Sequence, residues 1–465
     1  MSKGKIGLLP FYLKLYDDVC DPERNSQVKG FAELIGKEYE KRGLEVIMPP
    51  VCRTAAEFRS AIAAFEQAGV EAVITLHLAY SPSLESIEAV AATRLPLIIL
   101  DTTPDYEFGF TQSKDRIMFN HGIHGVQDFC NLLLRRGKKF ILEAGHWQKS
   151  DVIDRTIAAL WGCRVAKAMR SSRVGIIGNP FAGMGDFAVP FATLKANIGM
   201  KVISATSEEI ARLMPKPDSP EVRNELEKDL KRFDKGDFSE NALLLSETAG
   251  LGVRRWLENE NLSALTVNFL DIKGMPGLPV VPFLEASKAM SRGIGYAGEG
   301  DVLTAVLCGA LVQTLLETTF TEMFCPDWKG NRIFLSHMGE LNPELCLGKA
   351  VLQEKPFPYT DAGNPVVATT CLKSGAAHLI NLAPGPNETY TLIVAPVEIC
   401  DPEDKEHIKD TIRGWFKPAI PVAEFLTAYS RLGGTHHLVL CYNAENKIFE
   451  AFAVAMNWNY ALLAG

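Results

Sequence analysis

The chain has 465 residues, of which 47% are hydrophobic and 22% charged, with a formal net charge of −8. That length accommodates two to four domains and a large apolar core. The acidic balance and the lack of a long Lys/Arg block exclude nucleic acid or an anionic membrane surface as the main partner.

The N-terminal "MSKGKIGLLPFYLKLYDD" places early lysines before an apolar run. Pro10 and Lys14 break that run and no small-residue cleavage site follows, so it reads as a first strand and not as a signal peptide. The ten cysteines are scattered with no C-x-x-C pair, which predicts free thiols in a reducing compartment and a cytoplasmic protein.

From there the texture alternates. Apolar "KIGLLPF", "EVIMPP", "EAVITLHL" and "LPLIILD" are separated by helical "FAELIGKEYEKRG", "AAEFRSAIAAFEQAG" and "SIEAVAAT". Short continuous apolar runs between amphipathic helices predict a parallel sheet covered on both faces. "KKFILEAGHW" and a long helix to about Met169 close the unit. A second alternation starts at "RVGIIGNPFAGMGDF" and runs through "MKVISAT", "ALTVNFLD" and helical "PFLEASKAMSRGI". Within it, "SPEVRNELEKDLKRFDKGD" reads as a charged surface helix with a solvated face. From about residue 320, β-rich runs separated by Pro/Gly/Asn turns take over, such as "NRIFLSHM", "PVVATTCL" and "YTLIVAPVEI". They predict an antiparallel barrel or sandwich. The expected fold is α/β. Two Rossmann-like doubly wound domains, 1–170 and 171–319, precede a β-rich domain, 320–465. The apolar helix 302–316 contains Thr304, Gln313 and Thr314, and is too short and too polar to span a bilayer.

Chemistry concentrates in the C-terminal half. "GNPFAGMG" (178–185) suits a phosphate only weakly, because no Lys-Ser/Thr pair follows. "GIGYAGEGD" is more specific. Asp301 is a good N-cap for the helix that follows, but capping does not explain Glu299, set between two glycines outside the helix. Glu322 follows where the α/β texture ends. His337 ends an apolar strand and "GGTHH" opens another with His436 and His437. Adjacent strand residues face opposite sides, so at most one of that pair is expected in a site. Two Glu and two His at loop–strand edges would form a mixed carboxylate–imidazole site. Such a site suits manganese, cobalt, iron or zinc rather than a structural thiolate zinc.

In order along the chain, "NHGIHG", "AGHWQ", "GLPVVPFLEASKAMSRGIGYAGEGD", "TEMF", "SHM" and "GGTHH" resemble the motifs of the L-arabinose isomerase and L-fucose isomerase superfamily, the arabinose branch most. The resemblance implies two Rossmann-like domains followed by a β-barrel. It implies trimers or hexamers with active sites at subunit interfaces and a small sugar as substrate. Carried over residue by residue, Glu299 and Glu322 match the catalytic, metal-binding glutamates, and His337 and His437 the histidine ligands. His124 matches a histidine that reaches a neighbouring subunit's site, and Met184 lies near a sugar-contacting position. His436 is expected to be structural, its ring turned from the metal. The chain departs from the arabinose branch at Met323, where that branch usually carries an acid, and at Leu13, where it carries a polar sugar-binding residue.

The expected reaction is aldose–ketose isomerisation through an enediol(ate), with a divalent ion, manganese foremost, and with Glu299 and Glu322 moving protons. Two other readings use the same residues: a non-catalytic sugar-binding or sensory protein, and a metal-dependent epimerase or aldolase-type lyase.

Overall fold

A computed structural model describes residues 4–19, 22–403 and 407–464. The chain divides into two compact units. The first takes the chain up to Arg164 together with Lys447–Asn457, and the second takes Val165–Asn446 and the chain from Trp458.

The first unit is built on strands β1 (Lys5–Phe11), β2 (Glu45–Ile47), β3 (Val73–His77), β4 (Leu97–Asp101) and β5 (Ile141–Ala144), all parallel in the order β2-β1-β3-β4-β5. Alternate residues feed opposite cores, as the pleat requires. Leu8, Ile74, Leu76, Ile98 and Leu100 join one apolar cluster, and Leu9, Phe11, Val73 and Ile99 the other. This is the two-faced burial expected from the continuous apolar runs.

The second unit begins with β6 (Arg173–Ile177) and β7 (Lys201–Ala205), followed by the short β8 (Asp234–Lys235), then β9 (Ala264–Val267) and β10 (Gly295–Gly298). Strands β10-β9-β6-β7 form a second parallel sheet. The antiparallel part follows with β11 (Thr318–Asp327), β12 (Arg332–Ser336), β13 (Val351–Glu354), β14 (Val366–Thr369), β15 (Gly375–Pro384), β16 (Tyr390–Ile399), β17 (Gly414–Pro418), β18 (His437–Tyr442) and β19 (Asn459–Leu462). The order β15-β18-β11-β12-β17-β16 closes on itself because β15 also pairs with β16, making a six-stranded antiparallel barrel. β19 lies parallel along β16, and β14-β13-β8 form a small separate sheet. Leu335, Leu379, Ile393, Phe416, Leu438 and Leu440 pack in one apolar cluster of the barrel.

The helix Val302–Leu315 ties these parts together. It is apolar all round, and an all-apolar helix is stable only when surrounded by protein. It packs on β9 and β10 and on β11 and β18, and every residue from Val302 to Val312 is buried. Its N-terminus is thereby fixed beside the barrel.

The charged helix Pro220–Arg232 has the expected solvated face, with Glu221, Arg223, Glu227, Lys228 and Lys231 exposed, and in addition a buried one. Ser219 caps it, accepting the Val222 N–H, but Glu225 and Asp229, one turn apart, face inward. There they meet Lys288, which is 2% exposed. Its ammonium donates to Glu225 at 3.0 Å, Asp229 at 2.6 Å and Glu247 at 2.8 Å. Composition alone reads such a helix as solvated; the burial of Lys288 gives its acids a partner.

Candidate metal centre

Two strand pairings set the site. Glu322 on β11 is directly opposite His437 on β18 and directly opposite Ser336 on β12, so it lies between His437 and the residue before His337. From the parallel sheet, the end of β10 delivers Glu299. Glu299 has φ +61°, a left-handed backbone that is rare for a residue with a side chain. Two backbone hydrogen bonds hold it there: its N–H donates to Val267 O at 2.9 Å, and its carbonyl accepts from Phe181 N–H at 2.9 Å. The preceding Gly298 has no side chain for a steric reason. A Cβ there would stand 2.8 Å from Cε1 and 3.0 Å from Nε2 of His337.

These elements assemble two overlapping groups. Glu299, His436 and His437 offer ligand atoms within 4.8 Å of one another, as do Glu322, His337 and His437. Glu299 Oε2 is 3.5 Å from His437 Nε2, and Glu322 Oε2 is 3.9 Å from His337 Nε2. The four expected ligands Glu299, Glu322, His337 and His437 therefore share one site. Of the other two candidates, Met184 is half-buried on the loop after β6, and His124 belongs to the first unit, exposed on the first turn of the helix Gly122–Arg135.

Each histidine is oriented by a carboxylate. His437 Nδ1 donates to Asp301 Oδ2 at 3.0 Å, and His337 Nδ1 to Glu340 Oε2 at 2.7 Å. Glu340 is itself held by the Tyr296 hydroxyl at 2.6 Å and the Gly339 N–H at 2.7 Å. His436 Nδ1 donates to Asp186 Oδ2 at 2.6 Å. For His437 and His337, the carboxylate on Nδ1 fixes the tautomer and aims the Nε2 lone pair into the site. His437 Nε2 is buried with no hydrogen-bond partner, a costly state unless a ligand satisfies it. Phe320 packs edge-on against His337 and His437, and Phe187 stacks on His437 at 5.3 Å, which immobilises the rings.

Electrostatics separate the two glutamates. Burial pushes Glu299 up, but the His436 and His437 imidazoles, each with Nε2 3.5 Å from Oε2, and the charge of His337 outweigh it and hold the carboxyl well below its usual range. Burial likewise raises Glu322; the three histidines offset this only partly and Glu299 adds to it. Burial would lower His437, yet Asp301 and Glu299 push it up to about 10. A cation at Nε2 would therefore displace a proton.

His436 corrects an expectation. Its ring is not turned away: it lies 4.2 Å from the His437 ring, with Nε2 3.5 Å from Glu299. Strand alternation does not apply, because β18 starts at His437 and His436 is still in the preceding loop. Asp186, Glu340 and Tyr296 were not singled out from the sequence. Glu340 carried a usable signal, an acid three residues after a candidate ligand; Asp186, 250 residues from His436 along the chain, carried none. Among the remaining histidines, His77 is buried and bonded to Ser81 at 2.9 Å, in keeping with a core role. His378 is only half-buried, its Nε2 bonded to Asn446. His407 is exposed.

A third acidic group, Glu225, Asp229 and Glu247, has ligand-like spacing. Lys288 already occupies its centre.

Residues 195–315 match the L-arabinose isomerase central domain, and residues 317–459 match the L-arabinose isomerase C-terminal domain. Together the two matches span more than half of the chain. The chain belongs to the L-arabinose isomerase family. The family's members include the L-arabinose isomerase of Herpetosiphon aurantiacus, 23% identical over 94% of this chain and 90% of that protein. The L-arabinose isomerases of Thermotoga neapolitana and Nocardioides sp. are 24% and 26% identical, covering 90% and 85% of this chain and 86% and 81% of their own lengths. The central-domain match lies within the second unit and the C-terminal match mostly so, since it also takes in Lys447–Asn457 of the first; residues 299, 322, 337 and 437 fall inside the two matches. The family makes the chain an enzyme of the sugar isomerase class. Among the described residues, no helix is long and apolar enough to cross a membrane.

Proposed function

We propose that this protein interconverts an aldose sugar and its ketose through an enediol(ate), using a divalent metal ion. One observation carries the reading: Glu299, Glu322, His337 and His437 converge, with the buried His437 Nε2 left without a protein partner. Carboxylate oxygens and imidazole nitrogens fit manganese, with cobalt, iron or zinc as alternatives. These four residues would hold the ion. When bound, it supplies Lewis acidity toward neighbouring sugar oxygens and a positive charge beside the two carboxylates.

The chain's own groups move the protons. One of Glu299 and Glu322 takes the proton from the carbon next to the carbonyl and returns it to the former carbonyl carbon. The other exchanges protons on the two oxygens, so that the carbonyl becomes a hydroxyl and the adjacent hydroxyl a carbonyl. Asp301 and Glu340 keep His437 and His337 in the tautomer that exposes Nε2. Phe187 and Phe320 pack against the rings and limit water.

The same reading includes the three-part division at residues 170 and 320, and Met184 as a sugar contact. It includes homotrimers or hexamers, in which His124 reaches a neighbouring subunit's site. It also includes a cytoplasmic location, in keeping with nine free cysteines among the described residues.

The test is proton NMR in D₂O with a panel of pentoses, hexoses and deoxysugars, with Mn²⁺ and with an EDTA control. Metal-dependent loss of a carbon-bound proton signal as a ketose forms supports the proposal and reveals the substrate. A C2 epimer or two fragments would replace it with epimerase or lyase chemistry. Sugar binding without any exchange would leave a binding protein.

A further inference from the structure

The loop after β6 touches the site at two points that family resemblance did not assign. Near its start, the Phe181 N–H supports the left-handed backbone of Glu299. Near its end, one oxygen of Asp186 takes two hydrogen bonds from one residue: Oδ2 accepts the His436 backbone N–H at 3.0 Å and its Nδ1 at 2.6 Å. With backbone and ring both held, the imidazole is fixed in place, with a proton on Nδ1. It lies against Phe187 and His437, at 5.7 and 4.2 Å between ring centres. Its Nε2 is thereby set 3.5 Å from Glu299 Oε2, the same oxygen that lies 3.5 Å from His437 Nε2. If His437 Nε2 serves the metal, His436 is the ring left to fix the orientation of the Glu299 carboxylate, with an Nε2–H facing Oε2 while Nδ1–H is given to Asp186.

We infer that Asp186 is a positioning residue: through His436 it holds Glu299 in the orientation the reaction needs. The inference rests on the isomerase reading for its kinetic consequence, but its structural half stands on its own.

Two readouts test it, on Asp186→Ala and Asp186→Asn. The first is steady-state turnover of whichever sugar exchanges, with bound Mn²⁺ quantified. Loss of an outer carboxylate that orients a site histidine costs about 10- to 100-fold in activity. For Asp186→Ala the fall is expected in kcat, with KM and metal content within about threefold of the parent. Asn retains an acceptor oxygen for Nδ1–H and should recover part of the loss. The second readout is ¹⁵N NMR of the histidine rings with excess diamagnetic Zn²⁺, the His436 signals assigned by their absence in His436→Gln. The parent should show His436 protonated at Nδ1, and Asp186→Ala should lose that signature. An unchanged kcat, or an unchanged ring signature in Asp186→Ala, overturns the inference. A parent protein that exchanges no sugar proton sinks the isomerase reading instead, and the ring signature alone then decides whether Asp186 positions His436.

Discussion

Asp301 serves His437 and the helix Val302–Leu315 at once. One oxygen accepts the Thr304 N–H at 2.9 Å and caps the helix; the other accepts His437 Nδ1 at 3.0 Å. Substitution by Ala should therefore show two separable losses. The cap is worth about 1 kcal/mol of stability, read by urea unfolding. The orienting bond is worth about 10- to 100-fold in metal affinity, read by titration calorimetry with Mn²⁺. A variant that loses stability but binds metal normally would reduce Asp301 to a cap.

Gly298→Ala tests how closely β10 approaches the histidines. The added methyl would stand 2.8 Å from the His337 ring, which is itself buried and tied to Glu340. The ring has little freedom to yield, so metal affinity should fall by at least about tenfold while far-UV circular dichroism stays unchanged. Normal metal uptake would mean that the ring has room to move.

Glu299→Gln keeps the size and the left-handed backbone position but removes the charge. Turnover should fall by at least about a hundredfold, the scale of a lost general acid–base group, with an unchanged thermal transition. Turnover near that of the parent would remove Glu299 from the chemistry.

The buried Lys288 cluster should govern stability rather than activity. Glu225, Asp229, Glu247 and Glu285 face Lys288, Arg254 and Arg292. Lys288→Met strips the centre and should cost about 3–5 kcal/mol.

Glu247 also predicts a pH dependence. Its burial, helped by Asp229 and opposed by Lys288, raises its pKa from 4.5 to about 8. A raised folded-state pKa means that the folded protein binds the proton more tightly than the unfolded chain. The resulting stability is complete below pH about 4.5 and is lost as pH rises through about 8. Urea unfolding at pH 6 and 9 should therefore show a fall for the parent and a smaller one for Glu247→Gln. Equal falls would mean that Glu247 is already ionised at pH 6.

The sequence determined the local structure and the ligand types. Continuous apolar runs between amphipathic helices were enough for parallel strands with two covered faces, because burial on both sides leaves no alternation to read. The turn-separated β runs after residue 320 were enough for an antiparallel end. The glycine-flanked Glu299 stood out because capping accounts for Asp301 and not for its neighbour. What the sequence could not hold was distance. Barrel register decided that Glu322 pairs with His437 and lies beside Ser336, and a strand beginning at residue 437 decided that His436 also faces Glu299. The inner face of the charged helix was hidden for a similar reason. Its period was legible, but its buried counter-charge, Lys288, lies about sixty residues further along the chain. Ligand orientation by Asp186, Asp301 and Glu340 was likewise decided by tertiary structure, because a hydrogen bond depends on where two chain segments meet and leaves no period in either.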